Sequence, residues 1–428
     1  MTVAVRHKMT GLLFCGTVVN YIDRVNISVA APAILQDTGW TKVELGWVFS
    51  AFLIGNALLQ VPGGILADRW SARKVLAVSF LGFSLFTLLT PFGARAFALL
   101  IALRFLVGAF EALTFPAVMS INSRWFPRAE FGRAHTLSIS GISVGQVAAY
   151  LLTTWIILHG SWQMVFYVNA ALGLAWAVAW LRYGTDSPAQ HPRIGAAERA
   201  LIEADLPPPP PRPLPLRLMF THPSLLAIAA AYMAFAYVAW LMVFWLPTYL
   251  AEARGLSMGQ IALAGVSVLG AGFFGLVGGG MLGDLLVRRG KSAQFARVRV
   301  PGICILLAVP FLLASALVAS PAASVACLVT FALLFNGGLA GFSTVPVELN
   351  RHQAGAIMGA LNCCAAFASI FGPLTAGYVL AGSGGNWVLP FAIASAVGAI
   401  SGGILMAVTV RPIELKEAAT SEAVTVSP

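Results

Sequence analysis

Gly64-Ile65-Leu66-Ala67-Asp68-Arg69-Trp70-Ser71-Ala72-Arg73-Lys74 and Gly280-Met281-Leu282-Gly283-Asp284-Leu285-Leu286-Val287-Arg288-Arg289 are two copies of one pattern: a glycine, three residues, an aspartate, then a basic pair. Each copy joins two long apolar runs, and the copies lie about half of the 428-residue chain apart. A pattern recurring at that distance reads as an internal duplication. Glycine suits close helix approach. Asp68 and Asp284 suit a partner among the neighbouring basic residues or at a helix N-terminus. Gly64, Asp68, Arg69 and Arg73 in the first copy, with Gly280, Asp284 and Arg288 in the second, are therefore expected to form loops that lock one conformation at the membrane edge.

Working outward, apolar runs of about 20 residues continue along the whole chain, enough helix to cross a hydrocarbon core of about 30 Å. The composition agrees, with 59% hydrophobic and 10% charged residues. In lipid only helices and closed barrels satisfy their backbone groups, and runs this long without strict alternation favour helices. The runs predict twelve spans: 9–32, 44–67, 75–94, 96–120, 134–158, 162–182, 224–250, 258–286, 299–319, 322–346, 355–381 and 386–410. The first begins like a signal peptide, with Arg6 and Lys8 ahead of an apolar stretch. It holds Asp23 and Arg24 and runs too long, so it reads as an uncleaved span.

Residues 183–221 are polar and contain an unbroken row from Pro207 to Pro211, a composition that favours an extended spacer. The expected organisation is a six-span half at 1–182, a Pro-rich linker at 183–221, a second half at 222–410 and a tail at 411–428. The fold class is thus an all-α polytopic membrane protein with twelve transmembrane helices in two pseudo-symmetric six-helix bundles. Of the 26 Lys/Arg, only Lys42, Arg95 and Arg254 fall in connections opposite the termini, and only Arg24 and Arg104 inside spans. The positive-inside rule puts both termini, linker and tail in the cytoplasm, as in a bacterial inner membrane. The net charge of +10 follows from that bias and points to lipid headgroups rather than nucleic acid. All five cysteines fall in apolar spans, so no disulfide framework is readable. Cys363 and Cys364 read as packing residues, and no Cys/His spacing suggests a metal or a cofactor.

Among 16 acids, only Asp23 and Glu111 sit well inside spans. A charge at the bilayer centre costs about 2.5–3.5 kcal/mol on insertion scales, so Asp23, Arg24, Arg104 and Glu111 call for a role. Tyr21, Arg24 and Ser28 share one helical face, as do Arg104, Gly108 and Glu111, with Gly108 expected to clear space between the two charges. Asp23 is turned about 100° from Arg24, toward a neighbouring helix. A guanidinium keeps its proton and grips a carboxylate with two parallel bonds, which suits an organic anion. An acid that protonates releases its arginine, so anion and proton favour the same state: symport by linkage. The alternative is an ion-pair set that only clips helices together. The second half offers Tyr232, Tyr237, Asn336 and Asn362. Glycines 275, 278, 279, 280 and 283 read as bending and close-packing positions.

The repeated loops resemble the signature of the major facilitator superfamily, and further motifs narrow the likeness to its anion:cation symporters of sugar acids, phthalate and sialate. They are Asn20-Tyr21-Ile22-Asp23-Arg24-Val25-Asn26-Ile27-Ser28, Arg104 through Gly108 and Glu111 to Phe115-Pro116, Trp125-Phe126-Pro127 with Glu130 to Arg133, His191-Pro192 to Glu198, and Trp245-Leu246-Pro247-Thr248-Tyr249. The resemblance implies one central site exposed alternately to either side. It implies Asp23 and Glu111 as proton carriers, Arg24 and Arg104 as anion contacts, Tyr21 as a further contact, and Asn362 at a polar position of span eleven. Two departures stand out. Ser71 replaces the usual glycine of the first loop, and Ser343 stands where relatives often carry tryptophan, which reshapes the pocket.

The function expected is uptake of a small carboxylate with protons, by a single chain without an obligate protein partner. Uniport, exchange and proton-coupled export are the alternatives. Export is disfavoured because span five reads Gly141-Ile142-Ser143-Val144-Gly145-Gln146, without the Gly-Pro signature of drug antiporters. No nucleophile–base constellation or phosphate loop suggests an enzyme or ATP-driven pump, and a transporter-like sensor would need a signalling partner.

Overall fold

The computed structural model describes residues 4–204, 221–349 and 354–410, and it is helical with no strand among them. The helices are α1 (Val5–Thr38), α2 (Lys42–Leu66), α3 (Ala72–Gly93), α4 (Phe97–Glu111), α5 (Thr114–Trp125), α6 (Arg128–His159), α7 (Trp162–Tyr183) and α8 (Ala196–Glu203), then α9 (Pro223–Glu252), α10 (Met258–Arg288), α11 (Val300–Leu317), α12 (Pro321–Leu349), α13 (Ala354–Ser369), α14 (Phe371–Gly382) and α15 (Val388–Ala407). With α4/α5 and α13/α14 each forming one broken span, they make the twelve expected crossings. Ten stretches are long and apolar enough to cross a membrane. One of them, Lys42–Gly93, is 52 residues long and holds two crossings. α1, with Asn20, Asp23, Arg24 and Asn26 near its middle, is not among the ten.

The repeat is visible in local structure. α2 and α10 both begin with a capping box, Thr41 with Glu44 and Ser257 with Gln260, each pair satisfying two orphan N–H groups. A π-helical turn leads into α3 at Ala67–Ser71 and into α11 at Phe295–Arg299. The first pattern is therefore not a loop. Gly64 lies in α2, and Asp68 and Arg69 lie in the π turn. The chain reverses at Ser71, whose φ of −168° and ψ of 116° are extended backbone open to any residue, so no glycine is needed there. Its hydroxyl accepts from Lys74 N–H at 3.1 Å and donates to Asp186 at 2.6 Å.

The expected locks also form differently. Asp68 accepts from Ser120 of α5 at 3.0 Å rather than pairing with its own basic neighbours. Asp186 beyond α7 receives Arg73 N–H at 2.8 Å and lies 3.8 Å from Arg124. In the second copy Asp284 pairs with Arg297 at 3.3 Å, and Arg297 also holds Glu348 at 2.6 Å. Arg288 is exposed. The close approaches belong to Gly275 and Gly279, where a Cβ would lie 2.0 Å from Leu333 O and 2.3 Å from Gly337 O. Gly278 and Gly280 face open space, and Gly64 and Gly283 have only ordinary contacts.

Part of the expected linker is a packed element. Residues 184–204 lie on the first six spans: Trp125 Nε1 donates to Thr185 O at 3.1 Å, and Ile202 of α8 is fully buried. Glu198 of α8 accepts from Val5 N–H at 3.1 Å and Arg6 N–H at 3.0 Å, an acid at the positive end of α1. His191 is wedged against Trp125 and Tyr183, its Nδ1 accepting from Arg193 N–H at 3.2 Å. The row Pro207–Pro211 and the tail 411–428 lie outside the described residues.

The two sets of six spans meet at the end away from the linker. Phe49 stacks on Phe244 at 4.7 Å, Ser50 donates to Ile370 O at 2.8 Å, and Ser28 donates to Val243 O at 2.8 Å. Lys42 and Glu252, 2.8 Å apart, form the one ion pair between the two sets among the described residues.

Candidate functional site

The four buried charges gather where α1 meets α4. α1 lies hard against α6, because a Cβ at Gly141 or Gly145 would come within 2.6 Å of Phe14 O or Val18 O. Gly145 also touches the base of Tyr21, where its Cβ would sit 2.7 Å from Tyr21 Cβ. α4 crosses α2 just as closely, a Cβ at Gly108 falling 2.0 Å from Phe52 O and one at Gly55 falling 2.1 Å from Phe105 O. Gly108 therefore admits the backbone of α2, rather than clearing space between Arg104 and Glu111. The helix breaks directly after Glu111. Pro116 supplies no N–H for the carbonyl four residues back, and Ala112 and Leu113 form the turn.

Arg24 Nε donates to Glu111 Oε2 at 2.9 Å, with Arg24 5% and Glu111 0% exposed. Arg24 Nη2 and Glu111 Oε1 have no partner among the described residues. Asp23 accepts from Asn26 Nδ2 at 3.2 Å and from Thr87 Oγ1 of α3 at 2.9 Å, so it does face a neighbouring helix. Arg104 is fully buried, and none of its three guanidinium nitrogens has a partner among the described residues. Its Cζ lies 5.1 Å from the Phe52 ring, within electrostatic reach of Asp23 and Glu111. Two acids and two arginines cancel. A carboxylate that takes a proton leaves the cluster with one positive charge for an anion to match.

Arg24 also sits among four aromatic rings. Its Cζ is 4.9 Å from Tyr21, 5.4 Å from Phe52, 5.9 Å from Phe115 and 5.8 Å from Trp240, a setting that favours a weakly hydrated cation. Trp240 comes from α9, so both sets of spans close over this arginine. Behind it Trp240 stacks on Phe244 at 5.7 Å, and Phe244 meets Phe49 and Phe52. Sequence reasoning missed Trp240, Phe52 and Thr87. Their only sequence signal is an aromatic or hydroxyl residue in a span, which is common and unspecific.

The second-half candidates divide. Tyr232 OH donates to Asn362 Oδ1 at 3.1 Å, and Tyr232 lies within electrostatic reach of Tyr21. This pair belongs to the central region. Tyr237 is engaged with Thr375 of α14 through its hydroxyl. Asn336 donates to Ala332 O of its own helix at 3.0 Å and packs on Gly272. Tyr237 thus bonds across to α14, and Asn336 packs against α10. Ser343 is exposed on α12.

Comparison with known proteins agrees with the fold. The Major Facilitator Superfamily profile matches residues 13–373. A probable galactarate/D-glucarate transporter of Bacillus subtilis is 31% identical over 97% of this chain and 94% of its own length. A D-galactonate transporter of Escherichia coli is 31% identical over 92% and 94%. A probable sulfoacetate transporter of Cupriavidus necator is 30% identical over 95% and 94%. Among solved structures, a bacterial homologue of the human lysosomal transporter Spinster superposes with a TM-score of 0.74 at 18% identity over 95% of each chain. The D-xylose–proton symporter does so at 0.70 and 14% identity, over 93% of this chain and 96% of its own. With its twelve spans, its duplicated motif and these relatives, the chain belongs to the Major Facilitator Superfamily and is a multi-pass membrane transporter similar to carriers named for sugar acids and other organic anions.

Proposed function

We propose that this transporter takes up a small carboxylate, of the sugar-acid or sulfonated-acid kind its relatives are named for, together with protons. The observation that carries the reading is Arg104: a fully buried guanidinium whose three nitrogens have no partner among the described residues, beside a closed Arg24–Glu111 pair. An unpaired buried charge costs several kcal/mol, so this position favours a state in which an anion supplies the missing acceptors. Arg104 is the first anion contact and Arg24 the second, once Glu111 is protonated and releases it. Tyr21, Trp240 and the Tyr232–Asn362 pair border the same region. Asp23, held by Asn26 and Thr87, is the second proton carrier. Because the cluster sums to zero, each negative charge on the substrate calls for one proton, and the cycle carries no net charge. The lopsided distribution of basic residues supports an inner membrane with the linker in the cytoplasm. With the two sets of spans joined at the far end, the site is approached from the cytoplasmic side. The single chain holds both sets of spans and is sufficient for the cycle.

The test is uptake of radiolabelled D-glucarate, D-galactonate and sulfoacetate into proteoliposomes under an imposed proton gradient. Accumulation of at least one, abolished by a protonophore and insensitive to membrane potential at matched pH, is expected. Accumulation that persists without a proton gradient would overturn the symport reading. Absence of carboxylate transport in any format would overturn the substrate class.

A further inference from the structure

At the far mouth lies a cavity of about 420 Å³ lined by both sets of spans, with Lys42 from α2, Tyr249, Glu252 and Arg254 from the end of α9, and Trp387 ahead of α15. It collects two of the three basic residues that the sequence places on that side. Arg254 is fixed: its Nε donates to Tyr249 OH at 2.6 Å, one terminal nitrogen donates to Val318 O at 2.8 Å, and the other donates to Ser315 O. Lys42 is a long side chain held, among the described residues, by Glu252 at 2.8 Å and by the face of Trp387 at 5.9 Å.

The bridging pair is placed against helix energetics. Lys42 is the first residue of α2 and Glu252 the last of α9. A cation at a helix N-terminus and an acid at a C-terminus each oppose the macrodipole, by about 0.3–1 kcal/mol. Nothing local favours either residue. Their benefit lies across the interface, where each is the other's partner. When the two sets of spans part at this end, Lys42 leaves with the first set and loses its acceptor, while Arg254 stays with Glu252 on the second. A carboxylate is then the natural replacement for Glu252.

We infer that this cavity is a second, external anion site, in which an arriving carboxylate, drawn in by the field of the fixed Arg254, takes Lys42 from Glu252, so that anion arrival breaks the direct ion pair between the two sets of spans. Lys42 and Glu252 thus have opposite effects on the anion, one attracting it and the other competing with it. A latch without an anion site would make them equivalent, because removing either breaks the same bridge. The inference deepens the organic-anion reading and rests on it for the ligand class.

The experiment compares wild type, Lys42→Gln and Glu252→Gln by tryptophan fluorescence, with Trp387→Phe as the control for the reporting ring. Sodium D-glucarate is the probe, and sodium chloride at equal ionic strength is the second arm. A saturable Trp387-dependent change is expected in wild type. Its midpoint should rise about two- to fivefold in Lys42→Gln and fall by a similar factor in Glu252→Gln, the scale of one partly exposed charge pair. No Trp387-dependent change, or midpoints moving in the same direction in both variants, would overturn the inference. Chloride acting as strongly as glucarate would overturn the carboxylate assignment. Whether wild type accumulates glucarate in proteoliposomes is read separately, so failure of the transport reading is distinguishable from failure of the external site.

Discussion

Glu111→Gln separates coupling from binding. The four buried charges at Asp23, Arg24, Arg104 and Glu111 sum to zero, and the substitution leaves the cluster at plus one, a permanent version of the protonated state. Removing one partner of a buried pair costs about 3–5 kcal/mol. Glutamine keeps an acceptor oxygen for Arg24 Nε, now 2.9 Å from the carboxylate, so a loss near the lower end, about 3 kcal/mol, is expected in the absence of anion. A carboxylate substrate at 100 times its Kd returns about 2.7 kcal/mol and nearly restores the apparent melting temperature of the detergent-solubilised variant. The pH dependence is the sharper readout. If a monoanion binds wild type together with one proton, its Kd rises up to tenfold per pH unit where the proton-binding carboxyl is ionised. In Glu111→Gln that slope flattens. Uphill uptake is lost while counterflow, which needs no net proton release, persists. Unaltered uphill uptake with the wild-type pH slope would refute Glu111 as the coupling group. Loss of binding and counterflow together would show that the pair only clips α1 to α4.

Three further expectations use the same geometry. Arg24→Lys places a point charge where a guanidinium bonds Glu111 through Nε and lies among four aromatic rings, so substrate Kd should rise at least tenfold with helicity unchanged, as measured by equilibrium binding and circular dichroism. Gly275→Ala sets a Cβ 2.0 Å from Leu333 O, a backbone clash that overpacks α10 against α12 by about 1–3 kcal/mol. Gly280→Ala on the same helix meets nothing within 4 Å and should leave thermal stability intact, which a paired melting experiment checks. Burial, then Arg193, hold the His191 imidazole below its ordinary value of 6.5. The stability this lends the packed 184–204 segment is complete above pH 6.5 and declines as pH falls toward the lowered value. Limited proteolysis there should accelerate between pH 7.5 and 5.5, and His191→Phe, which keeps the ring contacts, should remove the difference.

Much of the architecture is legible in the chain because a bilayer imposes few choices. Apolar runs of the right length must be helices, and the distribution of Lys and Arg orders them. A glycine–aspartate–basic pattern recurring at half length implies two repeats. Asp23, Arg24, Arg104 and Glu111 stand out for the same reason: few charges are tolerated in apolar spans, so each is conspicuous without any coordinates. The helix rotation that turns Asp23 away from Arg24 also follows from 3.6 residues per turn, and Thr87 is what it meets.

The partners belong to tertiary structure. Nothing in the spacing of span one and span four selects Glu111 rather than Asp23 for Arg24, or leaves Arg104 without a hydrogen-bonding acceptor. Those outcomes depend on how closely α1, α2, α4 and α6 approach, which backbone contacts at Gly55, Gly108, Gly141 and Gly145 decide. The same is true at the membrane edges. The pattern offers Asp68 its basic neighbours or a helix N-terminus as partners, but helix packing brings Ser120 to it and gives Arg73 and Arg124 to Asp186 instead. Trp240 over Arg24, and Glu252 against Lys42, join residues about 200 positions apart. Sequence determines which groups must be paid attention to inside a membrane, because burial of charge is costly wherever it occurs; only the fold decides who neutralises whom, because an ion pair depends on a few ångströms of separation that no one-dimensional spacing encodes.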